Sequence, residues 1–167
     1  MEAHVGHHQD SRGGLDLPLS MLIAQVHSAL NAQARAILAH FGPLNLAQWR
    51  IVRLVGTDIA RTSTQVRKII GLDKSQLSKE LNALVSHGYI TTRTYERDRR
   101  QQVLELTPLG REALDRLLPV LTIRHDHLMN ALRPEHRAMI REALAALEEA
   151  AQKTDFGIKA ALEKAEP

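Results

Sequence analysis

Apolar residues recur at three- and four-residue spacing along most of this chain, and the breaks in that period mark its organisation. From Leu17 to Phe41, the residues Leu22, Val26, Ala29, Leu30, Ile37, Leu38 and Phe41 trace one face of a long amphipathic helix, which Gly42 and Pro43 stop. A helix of about 23 residues spans roughly 35 Å, more than a small compact module requires. Such length suits an oligomerisation strut as well as a plain core helix. Asn45 with Gln48 three residues on is a capping-box pattern, opening a shorter helix with Leu46, Trp49, Ile51, Val52, Leu54 and Val55 that Gly56 ends.

Thr62 and Gln65 repeat the cap signature, and Val66, Ile69 and Ile70 supply a buried stripe. Gly71 then permits the left-handed residue of a tight interhelical turn, and Asp73 caps a second helix with Gln76 placed to complete another box. Spacing residues 73–86 at about 100° each gathers Leu77, Leu81, Leu84 and Val85 on a core-facing side. The opposite side carries Ser75, Lys79, Asn82 and Ser86, with Gln76 at its edge. These are donors and acceptors suited to base edges and phosphates, whereas an isolated amphipathic helix would carry such a face for solubility alone.

After Gly88 the period changes. Tyr89 to Arg93 reads as a β-branched strand, and Val103, Glu105 and Thr107 alternate with Leu104 and Leu106 on the return, so a hairpin lies between. Its tip, Tyr95 to Arg100, is too charged for a core. Thr107 followed by Pro108 caps a long helix through Leu114, Leu117, Leu118, Leu121, His125, Leu128 and Leu132, in which Pro119 predicts a kink. Pro134 opens a last helix with Ile140, Leu144 and Leu147 on its apolar face. The first 16 residues are polar and unpatterned, which predicts a disordered or loosely ordered arm, and residues 154–167 form an Ala-rich extension.

Composition narrows this further. Of 167 residues, 44% are hydrophobic and only 3% aromatic, which predicts an aliphatic, mainly helical core with a small β-hairpin. The net charge of +3 is unevenly spread. From Arg61 to Arg111 ten Lys and Arg face five Asp and Glu, whereas the rest of the chain carries twelve against fourteen. Concentrated positive charge is the footprint of a phosphate-binding face. The absence of cysteine excludes thiol chemistry and sulfur-ligated zinc. No apolar run is long enough to span a bilayer and no leader pattern opens the chain, so the expected location is the cytoplasm, with no membrane partner. No nucleophile motif, glycine-rich phosphate loop or metal-ligand spacing points to an enzyme or a cofactor. His125 and His127, two apart on a helix, project in nearly opposite directions and cannot share an ion. Trp49, the only tryptophan, is first a packing residue; a place in a ligand cleft is the alternative.

The stretches Gly71-Leu72-Asp73-Lys74-Ser75-Gln76-Leu77-Ser78, Leu84 with Gly88-Tyr89-Ile90, Asp98-Arg99-Arg100 and Leu106-Thr107-Pro108-Leu109-Gly110 together resemble the MarR (multiple antibiotic resistance regulator) family of bacterial transcription factors. The resemblance implies a winged helix-turn-helix over 43–107 on a helical dimerisation frame of 17–42 and 108–153. It also implies a homodimer on a pseudo-palindromic operator in double-stranded DNA. Lys74, Ser75, Gln76, Ser78, Lys79 and Asn82 would then occupy the major groove. Arg93, Arg97, Asp98, Arg99 and Arg100 would form the wing, with Arg97 in the minor groove and Asp98 and Arg100 shaping the hairpin. The family usually has a small residue where this chain has Arg67. The expected function is a regulator, most often a repressor, responsive to a small lipophilic or phenolic effector bound near Val26 to Arg35, Trp49 and the start of the Thr107 helix. The alternatives are an effector-independent architectural DNA-binding or protein-interaction module, and a metal-responsive regulator using the nine histidines.

Overall fold

Capping chemistry sets the element boundaries. In the computed structural model, which describes residues 17–95 and 98–154, six helices and two strands follow one another: α1 (Leu19–Phe41), α2 (Leu46–Gly56), α3 (Ser63–Ile70), α4 (Lys74–Ser86), β1 (Ile90–Tyr95), β2 (Asp98–Leu106), α5 (Pro108–Asn130) and α6 (Pro134–Ala151). The predicted arm (1–16), the wing-tip Arg97 and all but the first residue of the predicted extension lie outside the described residues. Both capping boxes form: the Gln48 amide donates to Asn45 Oδ1 at 2.9 Å, and the Gln65 amide to Thr62 Oγ1 at 3.3 Å, with each glutamine side chain accepting in return from the cap amide. Each box satisfies two amides that the helix cannot. Gly71 takes φ 73°, the left-handed turn that its position predicts.

The chain divides into two compact units between Leu118 and Pro119, within α5. In the first unit, Leu38, Trp49, Ile51, Val52, Val66, Leu84, Ile90, Leu104 and Leu117 are buried together with Leu44, Val55, Leu77 and Leu114. This aliphatic set carries only one aromatic ring, as the composition predicts. In the second unit, α6 buries no residue, and Arg137 joins the turn before it by donating to the Leu132 carbonyl at 3.2 Å and to Asn130 Oδ1 at 3.3 Å.

Several faces are narrower than the periodicity suggests. Of the predicted α3 stripe only Val66 is fully buried, and Ile69 is 53% exposed. An eight-residue helix makes about two turns, so one position reaches the core. On α4, Leu77 and Leu84 are buried while Val85 is exposed. On α1 the buried residues are Ala34 and Leu38; Leu22, Val26 and Phe41 of the predicted stripe are exposed, together with Leu19, Met21 and Ile23. The hairpin is antiparallel with Ile90 opposite Leu106 and Thr94 opposite Gln102, and its strands are longer than predicted, because β1 reaches Tyr95 and β2 starts at Asp98. A register irregularity falls between Thr94 and Tyr95. Thr62 bridges Val103, and the Leu104 amide donates to the Arg61 carbonyl at 2.8 Å, so the α3 cap is tied to the hairpin base.

The start of α5 closes on the α4 to β1 junction. The Thr107 hydroxyl donates to the Gly88 carbonyl and accepts from the Gly110 amide at 3.1 Å, while the Thr107 amide donates to the Tyr89 carbonyl at 3.1 Å. A Cβ on Gly110 would stand 2.0 Å from the Tyr89 carbonyl oxygen, a backbone atom that cannot swing aside. At Gly71 space is open and only the dihedral angle resists a side chain. Urea denaturation is therefore expected to rank Gly110→Ala as the more damaging, at about 3 kcal/mol against about 1 kcal/mol for Gly71→Ala; equal losses would contradict the close approach at Tyr89.

Candidate nucleic-acid interface

The interface is built on α3, the Gly71 turn and α4. Asp73 Oδ1 accepts the Gln76 amide at 2.8 Å and the Ser75 hydroxyl at 2.7 Å. Ser75 thus takes part in the cap, and the box predicted for Asp73 and Gln76 closes on one side only, leaving the Gln76 side chain outside the cap. Lys74, Ser75, Gln76, Ser78, Lys79, Asn82 and Ser86 are all exposed. Among the described residues Gln76, Ser78, Lys79 and Asn82 have no side-chain hydrogen bond or ion pair, so their donors and acceptors are spent on water. Ser75, Lys79, Asn82 and Ser86 share one strip of the helix at about 100° per residue.

On one flank of that strip, Lys74, Ser78, Leu81, Asn82 and Val85 line a concavity of about 520 Å³, closed by Ser63, Thr64 and Arg67 of α3 and by Thr92 and Leu104 of the hairpin. On the hairpin, Arg93 Nε pairs with Glu105 Oε2 at 3.1 Å, both groups well exposed. Water screens such a pair, so it holds the Arg93 side chain along the strand at a small gain in stability. Asp98 stands opposite Tyr95, and Arg99 and Arg100 follow it on β2; their backbones lie on a strand, whereas the sequence placed them in a tip. The side chains of Asp98, Arg99 and Arg100, like Arg97 as a whole, lie outside the described residues.

A second cleft, of about 860 Å³, lies between α1, the start of α2 and the Gly71 turn. The Arg50 guanidinium, half-buried in its wall, donates to Asn31 Oδ1 at 2.7 Å, and the Asn31 amide meets His27 Nε2 at 2.8 Å. Burial first, and the neighbouring Arg35 second, hold the Arg50 pKa below its usual value. Asn45 Nδ2 donates to Glu80 Oε2 at 3.0 Å on the same cleft, linking the head of α2 to α4. Trp49 is buried at 3% exposure and is absent from this lining. Sequence reasoning reached Val26 to Arg35 as a region but missed Arg50, although His27, Asn31 and Arg35 at four-residue spacing form a polar row that could have drawn attention to it.

Two helices joined by a left-handed glycine, followed by an antiparallel hairpin bridged back to the first helix, define a winged helix-turn-helix. Residues 43–101 match the sequence profile of the MarR family. Over those residues the chain is similar to the MarR family. A curated relative, the HTH-type transcriptional regulator PetP of Rhodobacter capsulatus, is 24% identical over 110 residues, 66% of this chain and 66% of that protein, just under two thirds of its length. Among solved structures, a MarR/EmrR family transcriptional regulator from Acinetobacter sp. ADP1 superposes with a TM-score of 0.73 at 18% identity, covering 80% of this chain and 94% of that one. The S. aureus MepR structure, solved with DNA, gives 0.71 at 15% identity over 80% of this chain and 98% of that one. PcaV of Streptomyces coelicolor, solved with its natural ligand, gives 0.64 at 16% identity, over 81% and 97%. At these identities the likeness establishes the fold. Among the described residues no helix is long and apolar enough to cross a membrane.

The cap at Asp73 carries a pH signature. The Gln76 amide, then the Ser75 hydroxyl, hold its carboxyl below the ordinary aspartate pKa. A depressed folded-state pKa contributes stability that is present above the ordinary carboxylate range and is lost as pH falls through the depressed value. Asp73→Asn keeps an acceptor but loses the charge, so its melting temperature is expected to fall less steeply than that of the native chain across that acid window. Parallel acid limbs in circular-dichroism melts would exclude a charged cap.

Proposed function

We propose that the protein is a transcription regulator that binds double-stranded DNA as a homodimer, with α4 in the major groove and the hairpin in the flanking minor groove. The observation that carries this reading is the exposed, unpartnered row of Gln76, Lys79 and Asn82 on α4, set beside an arginine-rich hairpin in a MarR-type module. A helix of 13 residues fits the width of a major groove, and its polar termini match the donor and acceptor pattern of base edges. Lys74 and Ser78 flank the row, Ser75 acts from the cap, and Arg93, Arg97, Asp98, Arg99 and Arg100 complete the set on the wing. MepR, of the same fold, is a protein solved on DNA. The most economical mode of regulation is repression, with two α4 helices reading the two halves of a pseudo-palindrome.

The homodimer is supported by two apolar faces, each exposed within its own unit: Leu19, Leu22, Ile23 and Val26 on α1, and Met139, Ile140, Leu144 and Leu147 on α6. Side chains of this size left in water mark interaction surfaces. A second copy of the chain is the occupant that a pseudo-palindromic site requires. Sedimentation equilibrium is expected to give twice the chain mass, and Leu22→Glu with Val26→Glu is expected to shift it toward the monomer; a native chain that stays monomeric at micromolar concentration overturns the dimer.

An effector response is a second reading, favoured by the cleft at Arg50. Two guanidiniums, one of them half-buried, facing an open space suit a small phenolic or otherwise acidic molecule with a lipophilic body. PcaV, of the same fold, is a protein solved with its natural ligand. Thermal-shift screening of aromatic acids and phenols is the direct assay, with Arg50→Ala expected to abolish any stabilisation.

DNA binding itself is tested by selecting sites from a random duplex pool and titrating the selected site by fluorescence anisotropy. Affinity is expected to fall by roughly two orders of magnitude or more between about 50 and 200 mM salt. Arg97→Ala is expected to weaken binding to every site, whereas Gln76→Ala relaxes the preference at one base pair by about 1 to 3 kcal/mol. A protein that enriches no sequence, or binds without salt dependence, overturns the reading.

A further inference from the structure

Arg67 of α3 points outward: its side chain is exposed on the wall of the concavity between α3 and α4. Lys74 shares that wall, with the hydroxyls of Ser63, Thr64 and Ser78. Among the described residues no carboxylate lines it. Asp73, the acidic residue next to Lys74 in the chain, is committed to the Gln76 amide and the Ser75 hydroxyl.

Four other arginines are held by carboxylates. Arg61 pairs with Asp58 at 3.0 Å, Arg93 with Glu105 at 3.1 Å, Arg116 with Glu112 at 2.7 Å and Arg133 with Glu135 at 3.4 Å. Arg67 and Lys74 have no such partner among the described residues. Two cations therefore share one concave wall, with no counter-charge on it among the described residues, a surface that favours an approaching anion. Leu81 and Val85 give the lining an apolar side. Ser78 and Asn82 belong both to this lining and to the candidate reading residues of α4, so a duplex docked on α4 brings its backbone to the mouth of the concavity.

We propose that Arg67 and Lys74 clamp a DNA backbone phosphate in the concavity between α3 and α4, making α3 a sequence-independent anchor on the flank of the reading helix. The proposal rests on the DNA-binding reading above. A planar guanidinium gives a phosphate two parallel hydrogen bonds, and the lysine adds a point charge from the other helix. Such a contact positions the protein on the duplex and carries no base information.

The experiment compares the native chain, Arg67→Ala and Arg67→Lys on a selected site and on a scrambled duplex across a salt series. Arg67→Ala is expected to lose roughly tenfold in affinity on both duplexes alike. It is also expected to reduce the slope of log affinity against log salt by about 0.9 per protomer, and Arg67→Lys to restore that slope. A neutral methylphosphonate walked along the site should, at one position per half-site, weaken the native chain and leave Arg67→Ala unaffected. Because Arg67 is exposed, an unchanged melting temperature separates these effects from misfolding. An unchanged slope in Arg67→Ala, or a loss confined to one base pair, overturns the clamp while the DNA reading stands. A native chain that binds no selected duplex overturns both.

Discussion

The reader's geometry depends on the junction where α5 begins. Thr107 caps α5 through the Gly110 amide and at the same time reaches the Gly88 carbonyl, and Gly110 lies against the Tyr89 carbonyl so closely that no side chain fits. One threonine and one glycine therefore fix three elements together: the end of α4, the start of β1 and the first turn of α5. The Tyr89 amide adds a bond to the Leu84 carbonyl at 2.8 Å, closing the end of α4 in the same place. Buried backbone groups must find partners, so α4 cannot turn about its axis without breaking several of these bonds at once. At the other end of α4, the Asp73 cap and the left-handed Gly71 hold its start. A helix pinned at both ends presents its exposed face in one orientation.

Charge is distributed over this rigid frame in two ways. Arg93 and Arg61 are neutralised locally by Glu105 and Asp58, which suits residues that stiffen the hairpin base and the loop before α3. Lys79, Lys74 and Arg67 are left without counter-charges among the described residues. Part of the surplus of five positive charges between Arg61 and Arg111 therefore lies where α3 and α4 meet solvent, and the rest falls on the arginine-rich hairpin and on Arg111. Exposed pairs add little to stability, so the arrangement matters for what approaches the surface more than for the fold.

The elements that were legible in the sequence are those governed by local chemistry. Asn45, Thr62 and Asp73 announce helix starts because a short acceptor side chain satisfies amides a few residues away, and Gly71 announces its turn because only glycine takes that dihedral without cost. Burial was less legible. Periodicity marks Ile69 and Val85 as apolar positions on the right faces, yet α3 has two turns and Val85 borders an open concavity, and neither fact is carried by spacing along one helix. The tie between Arg61 and Leu104 joins residues far apart in the chain, and Arg50 reaches Asn31 across two helices. Such contacts depend on packing, which no single segment encodes. Arg67 was visible as a departure from the family pattern, but its consequence needed the concavity.

The same packing argument bears on how a ligand in the Arg50 cleft could act. The cleft is bounded by the Gly71 turn and by Glu80 of α4, and the bond from Asn45 to Glu80 ties the head of α2 to the reading helix. A molecule that displaced Asn45 from Glu80 would therefore work directly on the support of α4, with no need of a signal relayed through the core. By linkage, such a molecule changes DNA affinity only by the difference between its affinities for the two dispositions of that support, however tightly it binds either one. The two concavities of this unit thus meet different elements: Arg50 lines the one between α1, α2 and the Gly71 turn, and Arg67 the one between α3, α4 and the hairpin.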